Sequence, residues 1–229
     1  LPHASPEIPG LDIHGAVLPA EYAGGDHFDF ITMRDQTLGV VIGDVSGHGF
    51  SSALLMASTH ELLRSGAALH EDLDQVMRHT NRALSDEVEA GLFVTVLFAC
   101  IDPATRQLTY ANAGHPPGIV FDRGGQVKAE LSSTSTPLAV LPDAVFPVRG
   151  PLQLHPGDCV LMVTDGVWEA CSPAGELFGS QRVITAVQLV LDGSAQQIVE
   201  TLFATVRGFT QTDAFQDDVT VVAVKFNPI

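Results

Sequence analysis

The sequence predicts an α+β fold in which antiparallel sheets are stacked on one another with helices on their outer sides, and three features point to it. The run FVTVLFACI, residues 93–101, is apolar on both alternating faces, so a strand here must be covered from two sides. Short strand-like runs then succeed one another through the turn signals Asp102-Pro103 and, at residues 122–125, Asp-Arg-Gly-Gly. Such tight turns join hairpins and meanders rather than parallel crossovers. Apolar stripes of helical period precede and follow these runs.

Residues 1–10 carry Pro2, Pro6 and Pro9, which remove backbone donors and favour extended neighbours, so this stretch reads as a linker. Residues 11–229 read as a single domain. The chain is strand-like from Leu11, and residues 38–43 (LGVVIG) form a β-branched run ending at Asp44 before the loop SGHG. Phe50, Ala53, Leu54 and Ala57 begin a helical stripe. After a break at Gly66, a second helix is marked by Leu73, Val76, Met77, Thr80, Leu84 and Val88. Residues 159–164 (CVLMVT) repeat the pattern of an apolar run followed by Asp, here Asp165. Helices are expected over 181–191, with Ser180 as N-cap, and over 195–209, where Ser194 and Gln197 are spaced as a capping box. A last strand covers Val219–Phe226.

Composition narrows the function. The chain has 229 residues, 45% of them hydrophobic, which is enough to bury a full core. Its 27 acidic and 11 basic residues leave a net charge of −16, which repels nucleic acid and anionic membrane surfaces, and the basic residues are scattered rather than clustered. Cys100, Cys159 and Cys171 are odd in number and widely spaced, so neither a disulfide framework nor a thiolate zinc site is expected. No run approaches the roughly 18 apolar residues of a membrane span, and the first residues lack a signal-peptide pattern. A soluble segment in a reducing cytoplasm, without membrane contact of its own, fits these observations.

Aspartates stand at four junctions beside strand-like runs: Asp26 after two glycines, Asp44, Asp165, and the pair Asp217-Asp218. Each alone is explained by the preference of Asp and Gly for turns. Together they imply more, because strand ends in one sheet can meet, and gathered carboxylates repel one another unless a cation neutralises them. An all-oxygen ligand set suits Mg²⁺ or Mn²⁺, and no histidine pair sits at zinc spacing. Two such ions roughly 3.5–4 Å apart can activate a water and clamp the oxygens of a phosphoryl group, so ester hydrolysis needs no nucleophilic side chain. A competing reading takes the glycine-rich residues 43–49 (GDVSGHG) as a nucleotide loop. It is opposed by the absence of a lysine and by Asp44, whose charge would face the phosphate.

At these residues the sequence resembles the PPM family of metal-dependent serine/threonine phosphatases, in its bacterial branch of RsbU-like and SpoIIE-like domains. The resemblance runs over nearly the whole chain through IPGLDIHG, AGGDHFDF, GVVIGDVSGHG with SSALLMA, FVTV, LTYANAGHPP, PGDCVLMVTDGVWEA, FG and QDDVTVVAV, in that order. It implies a four-layer α/β/β/α sandwich and two divalent cations, Mn²⁺ or Mg²⁺. Asp44 would bridge both ions, Asp26 and the backbone carbonyl of Val45 would complete one site, and Asp165 and Asp217 the other. Asp218 would support its neighbours rather than bind metal. The resemblance further implies hydrolysis of phosphoserine or phosphothreonine on a protein, a STAS-type anti-anti-sigma regulator being the expected substrate, and a sensor or receiver module upstream. A catalytically silent adaptor of the same fold is the alternative; loss of an acidic ligand would mark it, and every expected one is present.

The chain also departs from the family pattern. Residues 11–25 contain no Arg or Lys to clamp phosphate, where type 2C relatives have an arginine. Ser46 occupies the place of a histidine held to protonate the leaving group, and His48, two residues on, is either the substitute for that role or a structural part of the loop. His27 replaces an aromatic. His115, in the NAGHPP turn, is expected to bond a backbone carbonyl, and Trp168 to serve as core or pocket wall.

Overall fold

A computed structural model describes the chain apart from residues 1, 3, 21–23, 48, 71, 88–90, 213–214 and 228–229; of residue 87 only the backbone is described. One five-stranded sheet has the order β1 (Leu11–Leu18), β10 (Val219–Phe226), β9 (Cys159–Val163), β6 (Gly118–Phe121), β7 (Val127–Leu131). The other has the order β2 (His27–Thr32), β3 (Leu38–Val45), β4 (Val94–Asp102), β5 (Gln107–Ala113), β8 (Arg149–Gln153). Neighbouring strands run antiparallel in both.

Strand alternation explains the stacking. In β3, Leu38, Val40 and Ile42 point toward the opposite sheet and meet Val160, Met162, Val222 and Val224 there. Val41 and Val45 point the other way, onto helices α1 (Phe50–Leu69) and α2 (Leu73–Glu87). In β10 the intervening residues Val219, Val221 and Ala223 face α4 (Gly179–Gln188) and α5 (Ala195–Thr210). Three apolar cores thus separate four layers, helices, sheet, sheet, helices, as expected of the two-faced strand in residues 93–101.

Several boundaries differ from the sequence reading. Gly66 does not break the first helix; α1 runs through it to Leu69, and Gly66 is buried where α2 crosses. A Cβ there would stand 3.1 Å from Val76 Cγ1, so the glycine serves close helix packing rather than termination. Ser180 is not the cap of α4, which starts at Gly179 after Phe178 without a side-chain capping bond. That helix also ends before residue 191, because the buried Lys225 ammonium of β10 draws the Leu191 carbonyl (2.7 Å) and the Gly193 carbonyl into the turn. The Ser194 and Gln197 capping box forms as expected, with both reciprocal bonds present. The single-turn helix α3 (Asp165–Trp168) was not foreseen.

Candidate metal centre

The period of two that builds the inter-sheet core also aims the polar groups at its end. Asp44 continues the inward series of Leu38, Val40 and Ile42; Asp26 lies two residues before the inward Phe28; Thr164 follows Val160 and Met162, and Thr220 precedes Val222. Antiparallel pairing of His27 with Gly43, and of Val163 with Val221, brings these ends to one edge of the sandwich.

Of the four expected metal ligands Asp26 is the best enclosed, with 9% of its surface exposed. Its Oδ2 accepts hydrogen bonds from Thr164 Oγ1 (2.7 Å) and Thr220 Oγ1 (2.6 Å), one from each of two adjacent strands. Burial raises its pKa well above the ordinary carboxylate range, the nearby Asp44 adds to the rise, and the two threonine hydroxyls oppose it. Burial, Asp165 and Asp217 lift Asp44 to about 7, with Asp26 opposing the rise. Neighbouring carboxylates cannot all keep their charge without cost, and a cation would relieve that repulsion. Asp165 is also raised, by burial and then by Glu169, although the N–H of Gly166 at the start of α3 favours its anion.

Asp218 behaves as a support. Buried at 5% exposure, it accepts from the backbone N–H of Ala20 through Oδ1 (2.8 Å) and from that of Asp26 through Oδ2 (3.4 Å). Its own N–H donates to Asp217 Oδ1 (2.8 Å). The surrounding glycines leave no room for a side chain: a Cβ on Gly24 would overlap the Asp218 carboxylate, and one on Gly25 would lie 2.9 Å from the Val45 carbonyl oxygen and 3.1 Å from Asp44 Oδ1. Val45 keeps its side chain in the helix-side core, and its N–H bonds the Gly25 carbonyl at 3.3 Å.

Asp26, Asp44, Asp165 and Asp217 therefore act on one another electrostatically as a group. Among the described residues no three His, Cys, Asp or Glu side chains stand together closely enough to hold a metal ion, so the four aspartates are linked through their charges rather than by a shared ligating geometry. Their hard oxygen donors, mutual repulsion and Cβ-free backbone fit divalent cations of the Mg²⁺ or Mn²⁺ type. A groove of about 290 Å³ adjoins Asp217, walled by Glu169, Leu177, Thr210 and Phe215.

The remaining candidates sort by position. His48 lies outside the described residues. Ser46 ties the loop to β4 by accepting from the Phe93 N–H (2.9 Å). His27 fills an aromatic's place: buried, held neutral with its pKa near 3 by burial and by His60, it meets the His60 ring edge-on at 5.7 Å. Trp168 is part of the wall beside the α4/α5 core. His115 meets Thr95 Oγ1 at 2.8 Å through Nδ1, a partner not expected, while the backbone of Val163 acts on the ring as well. Thr164, Thr220 and Thr95 were missed; their one signal was the inward parity of a threonine at a strand end.

The fold is that of a PPM-type phosphatase domain, and comparison with known proteins agrees. The sequence profile of the family described as Stage II sporulation protein E (SpoIIE) matches residues 34–227, and the chain belongs to that family. It is 28% identical over 255 aligned residues to Protein IcfG of Synechocystis sp., covering 99% of this chain and 40% of that one. It is 25% identical over 220 residues to the phosphoserine phosphatase RsbU of Bacillus subtilis, covering 96% and 64%. The chain thus spans less than two thirds of either relative. The crystal structure of the RsbU and RsbW domains of Rv1364c from Mycobacterium tuberculosis superposes with a TM-score of 0.79 at 26% identity, over 96% of this chain and 61% of that one.

Proposed function

We propose that this domain hydrolyses phosphoserine or phosphothreonine on a protein substrate, using two divalent cations held by Asp26, Asp44, the Val45 carbonyl, Asp165 and Asp217. The observation that carries this reading is the gathering of Asp26, Asp44, Asp165 and Asp217 where strand ends of the two sheets meet, so that Asp44 is raised by each of its acidic neighbours Asp165 and Asp217 and Asp26 by Asp44. When bound, the cations would supply an activated water and neutralise the phosphoryl oxygens. The protein's part is to hold the ligands: Thr164 and Thr220 fix one oxygen of Asp26, and Asp218 pins the backbone at Ala20 and Asp26.

In this reading His48 protonates the leaving alkoxide. A His48→Ala variant should then lose turnover on a phosphoserine peptide and keep it on p-nitrophenyl phosphate, whose leaving group needs little help. The substrate we favour is a phosphorylated STAS-type anti-anti-sigma protein, on the strength of the likeness to RsbU, with residues 11–229 working as one domain under an upstream sensor or receiver module. Among the described residues no helix is long and apolar enough to cross a membrane.

The test is phosphate release from p-nitrophenyl phosphate and from a phosphoserine peptide with Mn²⁺, with Mg²⁺ and with EDTA, beside an Asp44→Asn variant. Metal-dependent release that the variant lacks supports the reading. No release from either protein, in any metal, overturns it for this domain, and Mn²⁺ binding without turnover would favour the silent adaptor.

A further inference from the structure

The NAGHPP turn after β5 belongs to neither the ligand set nor the chemistry described above, yet it is built with unusual rigidity. Asn112, fully buried, accepts the His115 N–H through Oδ1 (2.8 Å) and donates through Nδ2 to the Leu131 carbonyl (2.9 Å). Gly114 sits at φ +69, and a Cβ there would press into Pro137 at 2.6 Å. The turn therefore has one conformation, and it drives His115 inward to 3% exposure.

The ring stands between the two sheets. On one side its Nδ1 lies 2.8 Å from Thr95 Oγ1. Thr95 is the residue of β4 paired directly with Asp44 of β3, and its hydroxyl lies 3.4 Å from the Asp44 carbonyl oxygen. On the other side the backbone of Val163, at the end of β9, acts on the imidazole, although Nε2 makes no hydrogen bond of normal geometry. Val163 immediately precedes Thr164, which holds Asp26, and Asp165. With the ring proton on Nε2, Nδ1 accepts from the Thr95 hydroxyl, whose single proton is then not available to the Asp44 carbonyl, so that Thr95 reaches Asp44 through the pairing of β4 with β3. Burial keeps the ring neutral, with its pKa near 3, so one tautomer can serve both contacts.

We propose that His115 is a positioning residue: through Thr95 it fixes the strand end bearing Asp44, and so holds that ligand in place for the cations. The inference rests on the metal-dependent reading and assigns the motif a task within it. Groups one step behind metal ligands commonly change metal affinity by about 10–100-fold when removed.

The test is Mn²⁺ affinity by titration calorimetry on the folded domain, independent of turnover, with thermal melting of the metal-free proteins as the control for simple loss of stability. Thr95→Val and His115→Ala should each weaken Mn²⁺ binding about tenfold or more. Thr95→Ser, which keeps the hydroxyl, and His115→Asn, whose Oδ1 replaces Nδ1, should stay close to wild type. The Thr95→Val/His115→Ala double variant should lose no more than the worse single one, since both break one connection. Should His115→Ala fail to fold, Thr95→Val against Thr95→Ser decides. Wild-type Mn²⁺ affinity in a folded Thr95→Val, or an Asn variant as weak as the Ala variant, overturns the positioning role. A wild-type protein that binds no Mn²⁺ overturns instead the metal reading on which it stands.

Discussion

Arg64 of α1 grips Asp29 of β2 with two nitrogens, Nε at 2.6 Å from Oδ2 and NH2 at 2.8 Å from Oδ1, and His60 closes the same carboxylate at 2.9 Å. Asp29 is fully buried and three residues from Asp26, so this clasp secures the helix over the strand that enters the candidate metal centre. Burial works to raise the Asp29 carboxyl, but the Arg64 hydrogen bonds and charge, the Phe30 N–H and His60 outweigh it, and the pKa is lowered.

Arg64→Met should therefore destabilise the domain. Arg64 is about half exposed, so solvent weakens the pair, and the loss is set at about 2 kcal/mol rather than at the larger figures for fully buried ions. A carboxyl depressed in the folded state contributes stability above its unfolded pKa, and that contribution is lost as pH falls through the folded value. Urea unfolding of the two proteins should differ most near neutrality and converge in acid; an equal gap at all pH values would contradict the assignment.

Asp44 has the opposite sign. Its pKa rises from 3.8 to about 7 on folding, so between these values the folded state binds more protons than the unfolded one and stability falls as pH rises. The metal-free domain should melt higher at pH 5 than at pH 8. Mn²⁺ should reverse that order, because cation and proton compete for the same oxygens, and Asp44→Asn should flatten the metal-free profile. Melting curves in EDTA and in Mn²⁺ across this range check all three.

Thr220→Val removes a donor from Asp26 Oδ2 while keeping the strand's shape. The hydroxyl favours the anion, so its loss should push the Asp26 pKa further up and weaken Mn²⁺ binding at neutral pH by about tenfold. The effect should shrink at higher pH, where proton competition ends. Calorimetric titrations at two pH values would reveal whether it does.

Gly166→Ala would set a Cβ onto the backbone oxygen of Asp218. Relief requires moving either α3 or the segment bearing Asp217 and Asp218, both part of the centre. We expect a stability loss of about 1–3 kcal/mol and a larger loss of Mn²⁺ affinity than any effect of Gly175→Ala, where nothing lies within 4 Å. Because Gly175 has φ +79, its variant also carries backbone strain and so controls for generic damage. Equal Mn²⁺ affinities in the two variants would refute the close-packing argument.

Much of this was legible in the chain itself. Two-faced apolar runs called for stacked layers, turn signals called for antiparallel pairing, and the recurrence of Asp beside those runs called for a cation. These are local properties, written in side chains within a few residues of one another. Gly66 shows where local reading stops: a glycine looks the same whether it ends a helix or lets a second helix approach, and only the position of Val76 distinguishes the two.

By itself, then, the sequence determined which residues lie on an inward face and where the acidic strand ends fall, because alternation along a strand follows from backbone geometry. Only the tertiary structure decided which ends meet. Thr164 and Thr220 reach Asp26 across 138 and 194 residues of chain, Arg64 reaches Asp29 across 35, and Thr95 meets His115 across 20. Such partners are chosen by sheet order and register, which depend on the packing of all four layers together and leave no local mark on the residues they join.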